Sequence, residues 1–278
     1  MVSRGSPEFS VVIPTLGTRN GALKRAVRSA QEQSQTRVEV LVVDDATPDD
    51  SVRVLALEAG VGYLRRRVNG GPSAARNEGA RLASGRFIVF LDSDDELPES
   101  RPWVGTPWGV TVGRIYREGR LDMPASPLDL PSSLLRHKGG ASLSSLVLCR
   151  ELLLEEPFDV SLRAWEDWDL VYRLSLRRVP VTASEACFAI IHEDSPDRLS
   201  RSPSMQSSLS ILYAKYHSQI RQDATAQAVW CRKLGQRHLL AGDRWSGRAW
   251  ILKSLVRRPF SPRRWWMVIS GRVPSAKR

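Results

Sequence analysis

The run Phe87-Ile88-Val89-Phe90-Leu91-Asp92-Ser93-Asp94-Asp95 is apolar for five residues and then stops at three carboxylates. Its apolar part does not alternate with polar residues, so it reads as a strand covered on both faces, as in the parallel sheet of an α/β domain. Acidic residues just past the carboxyl end of such a strand sit where open α/β sheets bind ligands. Two carboxylates one residue apart can also hold a hard divalent cation, which takes oxygen ligands and bridges to substrate phosphates. The plainer reading of the same residues is a strand followed by an acidic turn.

The residues upstream repeat the pattern. Phe9 to Ile13 is a β-branched run closed by Pro14, and Val38 to Val43 is a second run ending in Asp44-Asp45. Between them Leu23, Val27 and Ala30 recur at helical spacing, predicting an amphipathic helix over Asn20 to Gln33 with Asn20 as its cap. Asp49 or Asp50 can cap a helix carrying Val52, Leu55 and Ala56, and Val61 to Leu64 reads as a short strand. Ser73 can cap a helix that Gly85 closes. Strands alternating with helices predict βαβ units and a mostly parallel sheet. Further on, Pro98 to Pro107 and Asp122 to Pro131 read as loops. Val110 to Tyr116 and Val179 to Ile191 read as strands, Leu146 to Leu154 as a strand running into a helix, and Asp167 to Leu176 and Ser204 to Tyr216 as helices.

The 278 residues allow one large or two smaller domains. Met1 to Ser10 is short and polar, so no signal peptide is expected, and no apolar run approaches the ~18 residues of a membrane span. Cys149, Cys187 and Cys231 are scattered, which suits neither a disulfide framework nor a zinc site and fits reduced cytoplasmic thiols. The net charge of +11 is uneven. Gln227 to Arg278 carries thirteen Lys and Arg against one acid, while the rest carries 28 basic and 29 acidic residues. The same tail holds five of the nine tryptophans. That composition suits an interfacial segment at an anionic membrane, a phosphate-and-stacking contact with nucleic acid, or a basic helix that packs its Trp residues inward.

Three acidic pairs fall at strand ends or helix starts: Asp44-Asp45, Asp92-Ser93-Asp94 and Glu166-Asp167. Around them stand Val11-Val12-Ile13-Pro14-Thr15, Leu41 to Thr47, Asn69-Gly70-Gly71-Pro72-Ser73-Ala74-Ala75-Arg76-Asn77-Glu78-Gly79, Phe90 to Asp95 and Trp165 to Leu170. In this order and spacing, over about residues 8 to 200, they resemble glycosyltransferase family 2, whose catalytic domain has the nucleotide-diphospho-sugar GT-A fold. The resemblance implies an α/β GT-A domain over residues 8–203, with a mostly parallel twisted sheet flanked by helices. A helical, basic, Trp-rich extension would occupy residues 204–278.

It also implies roles. Pro14, Thr15 and Arg19 would contact the nucleotide, and Asp44 or Asp45 would accept from the base, Asp45 being the better choice for a pyrimidine N–H. An ionised carboxylate is acceptor-only, so it selects a base that presents a donor. Asp44 read without the family is a turn or helix cap. Asn69 opens a Gly-rich stretch that comes close to the donor, and Arg76 would pair with its oxygens. Arg65 to Arg67 read rather as a solvated charge run. Asp92, Ser93 and Asp94 would hold the ribose and a Mn²⁺ or Mg²⁺ ion, with His192 as a further metal ligand. Asp167 would be the general base of an inverting transfer to a hydroxyl acceptor, with Glu166 orienting it. Glu166-Asp167 read alone simply opens a helix at its positive end. Ser200 to Ser204 would fold over the donor. Two departures stand out: Ala46 takes a position that is often Gly in the family, and the helix after the metal motif gives way to the Pro/Trp loop.

The expectation is therefore a metal-dependent inverting glycosyltransferase. It would use a nucleoside-diphosphate sugar, UDP-linked by preference, in the cytoplasm or at the inner face of the plasma membrane. A catalytically silent binding protein of the same fold and a sugar nucleotidyltransferase are the alternatives. The second should carry a Gly-rich basic loop after the first strand, and Pro14 to Arg19 is a poor version of one. Nucleic acid has only the tail to recommend it.

Overall fold

A computed structural model describes residues 7–33, 38–117, 119–122, 130–136, 142–192, 204–257 and 260–274. Most of the Ser200–Ser204 segment, most of the Asp122–Pro131 loop, and Arg258 lie outside the described residues. The chain divides into two compact units, one of residues 1–130 and 139–196, the other of residues 131–138 and 197–278.

The first unit begins with β1 (Phe9–Thr15), α1 (Asn20–Gln31), β2 (Val38–Asp44), α2 (Ser51–Ala59), β3 (Gly62–Arg65), α3 (Pro72–Leu82) and β4 (Phe87–Phe90). These make the parallel half of an eight-stranded sheet, in the order β3-β2-β1-β4. Phe9, Val11, Val12 and Ile13 of β1 and all four residues of β4 are buried, as a strand covered on both faces requires. The chain winds one way from β1 to β3 and then crosses back to β4. The crevice between the ends of β1 and β4 is thus a switch point, where open α/β sheets bind ligands. Thr15 ends one strand there, and Asp92 follows the other.

The remaining strands make the sheet mixed. β5 (Val110–Arg117), β6 (Arg120–Asp122) and β7 (Leu146–Cys149) continue the sheet antiparallel as β4-β7-β5-β6, while β8 (Val181–Ile191) pairs parallel with β5. Between the last two strands lie α5 (Arg150–Glu155) and α6 (Glu166–Leu176); α4 (Leu130–Leu135) precedes β7.

Two local features differ from the sequence reading. α3 starts at Pro72 behind Gly71, and the Ser73 hydroxyl donates instead to the Leu162 carbonyl, 3.1 Å away. α3 also lies so close to the sheet that a Cβ on Gly79 would come within 2.4 Å of Val12 Cγ1. Asn20 is the first residue of α1 and makes no cap; Arg19 holds the capping position without a side-chain bond. Asp49, by contrast, accepts from Ser51 N at 2.9 Å at the start of α2.

The second unit is helical. It contains most of α4 together with α7 (Ser204–Lys215), α8 (His217–Gln222), α9 (Ala224–Leu240), α10 (Arg244–Arg257) and α11 (Pro262–Ser270). Asp223 caps α9, accepting from Thr225 N at 2.8 Å and Ala226 N at 3.0 Å. Trp230 is fully buried and donates from Nε1 to the Leu135 carbonyl at 2.9 Å. Ile251 and Leu255 are buried as well, Ile251 beside Leu239 and Met267. No helix among the described residues is long and apolar enough to cross a membrane.

Ala46, directly after β2, has φ +68°, a left-handed conformation that suits glycine. That geometry costs a non-glycine residue about 1–2 kcal/mol, whereas glycine loses about 0.5–1 kcal/mol of extra entropy on folding. Ala46→Gly should therefore stabilise the protein, by about 0.5–1 kcal/mol, read as a higher urea midpoint with unchanged slope.

Candidate active site

Arg76 joins the two sides of the site. It lies on α3 with its guanidinium buried, donating from Nη1 to Glu166 Oε1 at 2.6 Å and from Nη2 to Asp92 Oδ1 at 2.7 Å. Its guanidinium carbon lies over the Phe158 ring, 5.7 Å from the ring centre. Burial opposes its charge, but Asp92 and Glu166 outweigh burial and raise its pKa. Ser73, Arg76 and Asn77 share one face of α3, because positions three and four apart on a helix are neighbours. Asn77 clasps the backbone of Phe158 both ways, Nδ2 to its carbonyl at 2.9 Å and Oδ1 from its N–H at 2.8 Å. One helix face therefore delivers the segment before α6 to the carboxyl edge of the sheet. Trp165, just ahead of Glu166, sits at φ +66°, a strained value for a bulky residue that only surrounding structure can hold.

Asp167 follows on the first turn of α6 and accepts from Trp168 N at 2.7 Å. Burial, and then the neighbouring Glu166 carboxylate, push its carboxyl up to about 7. Asp94 accepts from Arg19 Nη1 at 3.0 Å, so the expected nucleotide contact Arg19 lies against the expected metal ligand. Asp92 and Asp94 keep side-chain exposures of 39% and 29%, which leaves oxygen open to a ligand.

Asp95 was not singled out in the sequence, yet it is the buried acid of this turn. Ser144 Oγ donates to it at 3.0 Å and His192 N at 3.4 Å. Burial, with Asp92 and Asp94 alongside, pushes it up to about 8. His192 Nε2 lies 2.8 Å from Glu96 Oε1. Among the described residues no group of three His, Cys, Asp or Glu side chains is arranged to hold a metal ion. Asp92 and Asp94 offer the oxygen chemistry a hard cation takes, as an open pair that a ligand's own oxygens would complete.

At the neighbouring strand end, Asp44 is buried, accepting from Thr47 N and Tyr63 OH, both at 2.8 Å. It makes the turn that its plainer reading predicts. Asp45 accepts from Gly70 N at 3.0 Å and Gly71 N at 2.7 Å and pairs with Arg66, which also holds Glu78. Arg66 is thus an anchored, mostly buried cation rather than part of a solvated run; Arg65 pairs with Asp50, and Arg67 is exposed. Asn69 accepts from Arg163 Nη1 at 3.1 Å. Thr15 is buried, its Oγ1 accepting from Gly17 N at 3.1 Å; Pro14 and Ser93 are half-buried.

Residues 10–102 match the model of glycosyl transferase family 2. The GalNAc(5)-diNAcBac-PP-undecaprenol beta-1,3-glucosyltransferase of Campylobacter jejuni is 36% identical over 96 residues, 33% of this chain and 31% of the relative. The chain aligns with less than a third of the length of the first curated relatives it matches. Among solved structures, S. aureus TarS 1-349 in complex with UDP-GlcNAc has a TM-score of 0.61 at 17% identity, covering 88% of this chain and 79% of that one. The mannosyltransferase PcManGT of Pyrobaculum calidifontis, in complex with GDP-Man and Mn²⁺, has a TM-score of 0.53 at 18% identity, covering 95% and 79%. At these identities the likeness is one of fold.

Removing one partner of a buried ion pair costs about 3–5 kcal/mol, because the other charge is left uncompensated. Arg76→Met should accordingly lower the unfolding free energy by about 3 kcal/mol, and Arg76→Met combined with Glu166→Met by clearly less. Urea denaturation of both variants checks this; equal losses would remove Glu166 as the counter-charge.

Proposed function

We propose that this chain, whose residues 10–102 match the glycosyl transferase family 2 model and whose fold is shared with TarS, is an inverting, metal-dependent glycosyltransferase of GT-A fold. It moves a sugar from a UDP-linked donor to a hydroxyl acceptor in the synthesis of cell-surface polysaccharide or glycolipid. The observation that carries the reading is the Asp92–Arg76–Glu166 bridge, which ties the acids after β4 to the start of α6, where Asp167 stands. A transfer of this kind needs two features: a cradle for a departing diphosphate, and one base on the acceptor's side.

Asp167 is that base. The acceptor oxygen attacks the anomeric carbon from the face opposite the diphosphate and gives its proton to Asp167. The bond from the anomeric carbon to the phosphate oxygen breaks with its electron pair, and a nucleoside diphosphate leaves. One displacement inverts the configuration and needs no protein nucleophile. A carboxyl poised near neutrality suits such proton transfer. Glu166, held by Arg76, orients it.

Asp92 and Asp94 would hold Mn²⁺ or Mg²⁺ at the donor diphosphate, with His192 as a further ligand. A cation there supplies charge that stabilises the leaving group. Arg19, paired with Asp94, adds a cation to the same cradle for the diphosphate. Pro14, Thr15 and Asn69 line the nucleotide, and Asp45 accepts from the base, its carboxylate already fixed by Gly70 and Gly71. The UDP-GlcNAc bound by TarS and the GDP-Man with Mn²⁺ bound by PcManGT support the donor class and the cation. The PP-undecaprenol in the Campylobacter relative's name supports a lipid-linked acceptor.

Donor turnover with Mn²⁺ tests the reading. Asp94→Ala should abolish most of it while leaving the circular dichroism spectrum unchanged; a wild-type rate would remove Asp94 from the cradle. A general base contributes about 10²–10⁴-fold, so Asp167→Asn should slow transfer by that factor with donor affinity retained. The base must be ionised, so the wild-type rate should climb as pH rises through about 7 and level off above it. A rate that falls over the same interval would count against Asp167 as base.

A further inference from the structure

We propose that α10 and α11 form a docking face for an anionic lipid bilayer, a property separate from the proposed reaction. α10 carries two apolar stripes. Gly247, Ile251 and Leu255 are buried. On the other side Trp245, Ala249, Leu252 and Val256 follow one another at spacings of four, three and four, one continuous helical face. All four are exposed, Trp245 at 84% and Val256 at 78%. α11 repeats the design. Met267 and Arg264 are buried, Arg264 Nη1 donating to the Ser254 carbonyl of α10 at 2.9 Å, while Trp265, Trp266 and Ile269 are exposed. Phe260, between the two helices, is 98% exposed. Arg248 Nη2 bonds the Ile269 carbonyl at 3.1 Å, fixing the helices to each other, and Ile251 and Met267 meet in one small core. Both helices therefore turn their outer apolar residues away from that core.

Exposed aromatic and aliphatic side chains on neighbouring helices are unlike the scattered single residues of an ordinary surface. Their charge surroundings choose the occupant. Arg244, Lys253, Arg263 and Arg272 are exposed among them, and Asp243 is the only acid between Gln227 and Arg278. A second copy of the same surface would bring like charge against like charge. Nucleic acid would engage the cations and stack on the tryptophans, but it offers nothing to Leu252, Val256 and Ile269. A bilayer with anionic headgroups satisfies both sets at once: Arg and Lys meet phosphates while Trp, Phe and the aliphatic residues enter the headgroup boundary.

The test uses the full chain and flotation with vesicles of phosphatidylcholine alone or with about 30% phosphatidylglycerol, at about 0.05 M and about 0.5 M salt. Binding should be at least about tenfold tighter to the anionic vesicles and weaken at the higher salt. Two variants separate the contributions. Leu252→Ser/Val256→Ser/Ile269→Ser changes only exposed side chains and should lose about tenfold in vesicle affinity, with an unchanged circular dichroism spectrum and an unchanged affinity for a single-stranded oligonucleotide. Arg244→Glu/Arg263→Glu should lose the preference for phosphatidylglycerol. The proposal is overturned if the wild type binds neither vesicle, if the triple Ser variant floats like the wild type, or if that variant's main effect is to dissolve a dimer seen by sedimentation. A wild type that prefers the oligonucleotide to the vesicles would overturn it as well.

Discussion

A guanidinium buried between two carboxylates from distant parts of the chain organises the first unit. Asp92 comes from the end of β4 and Glu166 from the start of α6, and Arg76 of α3 touches both. Two acids near each other at a sheet edge would repel. One buried cation between them reverses the sign, and in return they make its burial tolerable. The neutral contacts on the same face of α3, Asn77 to Phe158 and Ser73 to Leu162, fix the segment that leads into α6. Close packing of α3 on the sheet at Gly79 sets the distance from which Arg76 reaches. The position of Asp167 is thus a consequence of how one helix is packed.

The same edge sorts its acids by their partners. Asp92, Asp94 and Glu166 are held by arginines, whereas Asp95 and Asp167 accept from neutral donors and lie close to other carboxylates. The second pair is pushed upward, to about 8 and about 7. Groups separated in this way divide the work of a site between charge and proton transfer. Under the proposed chemistry the arginine-held acids receive the donor and its cation, and Asp167 receives the proton.

Much of this was legible from the sequence where burial is total. β4 is a continuous apolar run and β1 and β2 are mainly apolar, ended by Asp92, Thr15 and Asp44, so strand, direction and ligand edge could be read together. The antiparallel pairing of β7 with β4 and β5 could not, because it joins segments far apart in the chain. Ser73 looked like a cap because Ser caps helices locally, yet its hydroxyl serves Leu162, far away in sequence. Arg66 looked solvated because nothing in a run of three arginines says which one turns inward to Asp45 and Glu78. Asp95 stands in the sequence only as the last acid of the run, and Ser144 and the His192 backbone, which hold it, give no sequence signal. In α10 the apolar residues form two stripes, and composition alone could not say that Ile251 and Leu255 lie on the inner one.

The central claim is that the edge between β1 and β4 binds a nucleoside-diphosphate sugar with the help of a divalent cation. Titration calorimetry of the full chain with UDP-GlcNAc, with and without Mn²⁺, tests it most directly, with other UDP- and GDP-sugars in parallel. The account predicts one saturable site for at least one of these donors, strengthened by Mn²⁺ and lost in Asp94→Ala. Absence of binding to every nucleotide sugar, with and without the cation, would contradict it.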